Sequence, residues 1–210
     1  MALSTDHGDL ARQFFRSNRQ MFDLIAEPKP AIAFEVALRK LFIESDDGTR
    51  TAWFRKEECC LAGTSKDLVA FLPTAWRVKL DRVSDVWPGC EKWWAGYPVI
   101  ALIDARAHDD GKGCLTLHFE VGPLADNGLR NLIIATIAEL SCEFGVHRIQ
   151  FPSERVNKRS LYSRFLRRNS RQVNAFNDAS EIEEKIRELV LDFSIETACV
   201  ASSLSRIAIQ

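Results

Sequence analysis

Apolar and polar residues alternate in several short runs in the middle of the chain and recur at helical spacing towards both ends. The clearest alternation is Leu115–Val121, where the odd-numbered residues are apolar and Thr116, His118 and Glu120 are polar. Because successive side chains of a strand point to opposite faces, we expect one face in the core and the other exposed or functional. Similar runs predict further strands at 51–54, 68–72, 97–103 and 146–151.

Helical periodicity predicts two helices before the strands, the second at about Ala31–Phe42, with Pro28 and Pro30 separating them. Asp126, which follows the clearest strand, is expected to cap a central helix that ends at Gly145. Helices therefore precede and interrupt the strand-forming part of the chain.

The C-terminal part predicts one more helix. Ser180 and Glu183 have the spacing of a capping box at the start of an amphipathic helix with an acidic outer side. The stretch 169–179 before it is expected to be a flexible joint. All elements together predict an α+β fold, in which an antiparallel sheet is flanked by an N-terminal helical pair, a central helix and the C-terminal amphipathic helix. We divide the chain into a helical pair at 1–45, an α+β sheet domain at 46–172 and the C-terminal helix at 173–210.

The composition, 46% hydrophobic and 27% charged, is that of an ordinary globular protein. No run approaches the ~18 apolar residues that a membrane span needs, and no signal-peptide pattern occurs, so we expect a cytoplasmic protein without a membrane partner. The six cysteines lack CxxC spacing and are expected to be free thiols. There is no glycine-rich phosphate loop and no GxSxG elbow, so no cofactor and no catalytic residue is predicted from a motif.

Positive charge is concentrated in the stretch RVNKRSLYSRFLRRNSRQ at 155–172, which we call the basic segment. Because the net charge of the chain is only −1, attraction to nucleic acid would have to come from such local segregation. The candidate nucleic-acid-binding residues are its seven cations, Arg155, Lys158, Arg159, Arg164, Arg167, Arg168 and Arg171.

Three interpretations of the basic segment stay open. In the first, its cations contact phosphates of DNA or RNA while Tyr162 and Phe165 stack on bases or anchor the segment. In the second, which is the commoner case for charge runs, the segment is a solvated helix. Leu161, Phe165 and Leu166 would then pack inward, and the cations would pair with glutamates of the acidic C-terminal helix. In the third, the cations bind a protein partner.

Two other groups of residues are candidate sites. Trp76, Trp87, Trp93 and Trp94 could stack on single-stranded nucleic acid, but core packing against a sheet is the expectation for them. The second group consists of His108, Asp109, Asp110, His118 and Glu120. Its imidazoles and carboxylates could in principle hold a divalent metal. Such residues are, however, usually just exposed polar side chains or members of an ordinary turn, so no metal site is predicted.

Several segments that cover most of the chain occur in a recognisable order. They are LARQFFRSNRQMFDLI, FEVALRKLF, FLPTAWRVKL, YPVIALIDARA, CLTLHFEVGPL, LRNLIIATIAEL, KRSLYSRFLRR and EIEEKIRELVLDFSIETA. In this order they resemble the region after the catalytic core in bacterial PD-(D/E)XK nuclease superfamily proteins. The resemblance implies an accessory binding module in DNA processing or phage defence, which touches nucleic acid or docks a catalytic protein partner.

The catalytic centre of that superfamily is not part of the resemblance. Its chemistry needs an acidic residue on one strand and a (D/E)xK triplet on the next, so that carboxylates hold Mg²⁺. The nearest equivalent here is Asp104-Ala-Arg106 with Asp85 upstream, and arginine cannot accept a proton near neutral pH. We therefore expect no nuclease activity from this chain alone.

A second resemblance offers an alternative. The succession LTLHFEVGPL, LRNLIIATIAELSCEFG, VHRIQF and NKRSLYSRF is similar in order to the second half of a GNAT-like N-acetyltransferase. That resemblance implies acetyl-CoA binding, with its pyrophosphate at the N-terminus of the central helix. The corresponding turn Ala125–Gly128 has one glycine and a repelling carboxylate at Asp126. A protein-protein interaction domain without nucleic-acid contact is a further alternative.

Overall fold

The structure, a computed structural model, describes residues 30–151 and 161–207 of the chain. The helices in these two ranges are α1 Pro30–Leu41, α2 Thr74–Leu80, α3 Asn127–Glu143, α4 Ala179–Asp192 and α5 Ser194–Ile207. The strands are β1 Ile43–Glu44, β2 Arg50–Phe54, β3 Glu57–Ser65, β4 Leu68–Pro73, β5 Val99–Ala107, β6 Gly113–Val121, β7 Ser163–Arg164 and β8 Ser170–Val173. These elements confirm the predicted α+β class.

The eight strands form one antiparallel sheet in the order β1-β2-β3-β4-β5-β6, with both β7 and β8 hydrogen-bonded to β6. Arg164 of β7 pairs with Glu120, and Ser170 of β8 pairs with Thr116. The segment between these two pairs is longer than the part of β6 that faces it. Its excess residues therefore bulge out of the sheet edge.

One side of the sheet, which we call the helical side, carries the core. Leu115, Leu117, Phe119 and Val121 are all buried there, as the alternation predicted. The ring of Trp76 on α2 packs edge-on against Phe119 with centroids 4.8 Å apart. The indole N–H of the same tryptophan donates to a backbone carbonyl of α5 at 2.9 Å. This contact joins α2, α5 and the sheet in one core.

The predicted helices are recovered in part. The first N-terminal helix lies outside the described residues, and α1 agrees with the second. The Asp126 carboxylate accepts hydrogen bonds from the backbone N–H groups of Gly128 and Leu129, so it caps α3 as predicted. At α4 the cap is Asp178, which accepts from the N–H of Ser180, and not the predicted capping box. Helix α5 was not predicted as a separate element.

Two predictions between 146 and 179 are wrong, and so is the helical form in one interpretation of the basic segment. No strand forms at 146–151, where only Ile149 makes a single bridge, to Leu166. The part of the basic segment that the structure describes is not a helix, because hydrogen bonds to β6 hold it in the two extended pieces β7 and β8. For the same reason the stretch 169–179 is not simply a flexible joint, since it contains β8.

Strand β3 and helix α2 are elements that pattern reading missed in the middle of the chain. The register of β3 shifts between Leu61 and Gly63, so its side-chain alternation is interrupted by a bulge. The division into three domains stays a prediction, although β8 crosses the 172/173 boundary. No helix within 30–151 or 161–207 is long and apolar enough to cross a membrane.

Candidate ligand-binding site on the polar side of the sheet

The opposite side of the sheet, which we call the polar side, carries an open site of about 410 Å³. It is lined by Trp93, Trp94, Glu120, Tyr162 and Arg164, and we call it the aromatic site. The tryptophans come from the connection between α2 and β5, whereas the other three residues lie on or beside β6 and β7. The rings of Trp93 and Tyr162 are 6.1 Å apart and tilted by 44°. The site therefore brings together residues that are distant in sequence.

Two glycines leave the space that the tryptophan rings occupy. A Cβ on Gly63 would lie 3.0 Å from Cε3 of Trp94, and a Cβ on Gly122 would lie 2.2 Å from Cζ3 of Trp93. Trp94 also has a φ of 44°, in the left-handed region that bulky residues seldom adopt. Such conformations persist only where the surroundings enforce them, and they concentrate at binding sites.

The floor of the aromatic site is an ion pair. Nε of Arg164 donates to Oε2 of Glu120 at 2.6 Å. The Glu120 side chain is only 6% exposed, whereas 38% of the Arg164 side chain is accessible. Among the residues that the structure describes, the guanidinium of Arg164 makes no other hydrogen bond, so its terminal N–H groups remain available to a ligand.

A row of polar side chains continues from Glu120 along the sheet edge, and we call it the polar row. It consists of His118, Thr116, Asn169 and Ser170. The hydroxyl oxygens of Thr116 and Ser170 are 3.1 Å apart, and Nδ2 of Asn169 lies 3.5 Å from Nδ1 of His118. Burial, and then the nearby Arg164 cation, lower the pKa of His118 to about 4. The imidazole is therefore neutral at pH 7 and adds no charge to the row.

The seven cations of the basic segment have different surroundings in the structure. Arg155, Lys158 and Arg159 lie outside the described residues. Arg164 lies in the aromatic site, and Arg171 pairs with Asp192 of α4 at 3.1 Å. Arg167 and Arg168 are exposed and make no ion pair with any residue in 30–151 or 161–207. Two arginines thus remain accessible at the bulge beside the polar row.

The solvated-helix interpretation is correct only in part. Phe165 and Leu166 are buried as it required, but Leu161 is 61% exposed. Pairing with the acidic helix occurs through Asp192, whereas two of its glutamates bind cations of their own helix. Glu183 pairs with Arg187 and Glu188 with Lys185.

Other candidate residues do not assemble into a site. Trp76 and Trp87 are buried, as core packing required. Asp104 pairs with Arg106 at 3.4 Å and Asp85 is exposed, and no group of three or more His, Cys, Asp or Glu that could hold a metal occurs in the part of the chain described. The Asp126 carboxylate already occupies N–H groups at the start of α3 that a pyrophosphate would need.

Sequence reasoning named all five residues of the aromatic site without bringing them together. The Glu120–Arg164 pair follows from the β6–β7 register, and the tryptophans depend on glycines in other strands. No local signal marks such contacts. Comparison with protein-family models, curated proteins and solved structures finds no match to the chain, so both resemblances stay predictions.

Proposed function

We propose that this protein is a binding module that holds single-stranded nucleic acid along the polar side of its sheet. The observation that supports this most is the aromatic site, where exposed ring surface lies beside an arginine and a buried carboxylate. Bases stack on aromatic faces without regard to sequence, and arginine donates to phosphate. The Glu120 carboxylate can accept a hydrogen bond from an exocyclic amino group of a base.

The polar row extends the site in one direction. From Glu120 to Thr116 the strand covers ~13 Å, at about 3.3 Å per residue. Arg167 and Arg168 lie at the bulge alongside this stretch and make no ion pair within the described ranges. An elongated array of neutral hydrogen-bonding groups with cations at its edge suits a linear polyanion better than a compact ligand.

The setting of this activity rests on the resemblance alone. A role in DNA processing or phage defence, with a catalytic protein partner, would fit a module without its own nuclease centre.

The test is a fluorescence-anisotropy titration with a labelled single-stranded oligonucleotide and its duplex, each as DNA and as RNA, at two salt concentrations. We expect tighter binding of the single strand. Trp94→Ala should weaken it about fivefold or more, since one stacked base contributes about 1–3 kcal/mol. The matched control is Trp53→Ala, because Trp53 is 56% exposed and lies on β2, far from β6 in the sheet.

A second variant tests the cations. Replacing Arg167 and Arg168 together by Ala should flatten the salt dependence by about 0.7 logarithmic units per lost phosphate contact on a single strand. No binding at low salt, or full binding by Trp94→Ala, would overturn the proposal. A rise in melting temperature with coenzyme A would instead support the acetyltransferase alternative.

A further inference from the structure

A second pocket, of about 330 Å³, lies on the helical side of the sheet and is separate from the aromatic site. Its floor includes Phe71 and Phe119, which are buried. Its rim includes Ser194, Ala198 and Ser202, one turn apart along α5 and exposed. Small side chains at this spacing leave the aromatic floor open to a ligand. The volume is at the lower end of the range for small-molecule sites, about 300–1,000 Å³.

One carboxylate oxygen in this pocket lacks a partner among the described residues. Oε1 of Glu57 is buried and accepts no hydrogen bond from any residue that the structure describes. Burial raises the pKa of Glu57, and a hydrogen bond from the backbone of Ala75 opposes this only in part. The neighbouring Glu58, in contrast, accepts a hydrogen bond from Oγ1 of Thr74 at 3.2 Å. A buried acceptor without a donor is costly, and a ligand that supplies the donor removes that cost.

We propose that this pocket binds a small organic amine, with its apolar body on Phe71 and Phe119 and its ammonium group at Glu57. Charge complementarity selects the amine, because no Lys or Arg in the described part of the chain lines the pocket and the carboxylate oxygen has no partner there. A charge-assisted hydrogen bond in such surroundings is about twice as strong as a neutral one. The pocket lies on the other side of the sheet from the proposed nucleic-acid site, so this inference stands apart from the proposed function.

The test is isothermal titration calorimetry of the full chain with 2-phenylethylamine, 2-phenylethanol and 3-phenylpropionate. These probes share an aromatic body and carry a cationic, a neutral and an anionic end. We expect the amine to bind, the alcohol to bind at least about tenfold more weakly, and the anion not to bind. Glu57→Gln should reduce amine affinity at least about tenfold, whereas the matched control Glu58→Gln should leave it unchanged.

A pocket-filling variant keeps the proposal testable if Glu57→Gln does not fold. Ala198→Phe places a ring from the exposed rim into the space, so it should abolish amine binding while the thermal melt stays cooperative. The proposal is overturned if 2-phenylethanol binds as well as the amine, or if the amine does not bind. Amine binding that persists in Ala198→Phe, or that falls equally in Glu57→Gln and Glu58→Gln, also contradicts it.

Discussion

Trp93 packs so closely against Gly122 that its indole ring fits in the aromatic site only because residue 122 has no side chain. A Cβ on Gly122 would lie 2.2 Å from Cζ3 of the indole, and Trp93 is itself 8% exposed. Gly122→Ala should therefore lower the free energy of unfolding by about 1–3 kcal/mol, because an overpacked core forces side chains from their rotamers. Urea denaturation measures this change.

The same relationship can be isolated by a double-mutant cycle. In a Trp93→Leu background the smaller side chain leaves room for a methyl group, so Gly122→Ala should cost much less there. An equal cost in both backgrounds would show that the indole is not what the added Cβ meets.

A second prediction concerns the ion pair between Arg148 and Glu196. Nε and one terminal nitrogen of the arginine donate to the two carboxylate oxygens at 2.8 and 2.9 Å, and the Glu196 side chain is only 4% exposed. The guanidinium also lies 3.9 Å from the ring centroid of Phe193. Arg148→Met should reduce stability by about 3 kcal/mol or more in a urea melt, because it leaves a buried carboxylate unpaired.

Two controls test that explanation. Adding Glu196→Leu to Arg148→Met should restore part of the stability, since the unpaired charge is removed. Arg106→Met removes an arginine whose side chain is 76% exposed and paired with Asp104, and it should cost less than about 1 kcal/mol. Similar losses in Arg148→Met and Arg106→Met would contradict the importance of burial.

A third prediction follows from the pKa of His118, which lies at about 4 in the folded protein against 6.5 for an ordinary histidine. Between these values the unfolded chain binds a proton that the folded chain does not, so stability falls as the pH falls. From pH 7 to pH 5 this residue should contribute up to about 2 kcal/mol of the loss. His118→Gln should remove that share in urea titrations at the two pH values.

The control for this pH dependence is His108→Gln, which replaces an exposed histidine in the turn between β5 and β6. It should show the same loss from pH 7 to pH 5 as the parent protein. If His118→Gln loses as much stability as the parent, another group causes the acid sensitivity.

A fourth prediction orders the thiols by reactivity. Cys142 is exposed, whereas Cys59, Cys90 and Cys199 are buried. Burial, with a contribution from Glu91, raises the pKa of Cys90 to about 11, so very little thiolate is present at pH 8. A thiol reagent should label Cys142 first and the three buried cysteines only on unfolding.

Cys142→Ser removes the fast phase in that experiment if the assignment is correct. A fast phase that survives this substitution would show that one of the remaining thiols is more accessible than its position indicates. Mass spectrometry of the labelled peptides identifies which one.

The sequence by itself determined the elements whose signal is local. Alternation placed Leu115–Val121 as a half-buried strand, because the side-chain period of a strand is carried by consecutive residues. Asp126 and the apolar stripe after it specified α3, since capping and helical periodicity act within one or two turns. The same reasoning found α1 and the start of α4 to within a residue or two.

Only the tertiary structure decided the form of the basic segment and the two sites. Arg164 is in an extended strand because its backbone pairs with Glu120 of β6, a contact 44 positions away that helical spacing of cations cannot reveal. Trp94 depends in the same way on the space above Gly63. Both sites lie where several strands or helices meet, so the free energy that forms them comes from packing between residues that are distant in sequence. Such packing produces no periodic pattern of apolar residues from which the sites could be predicted.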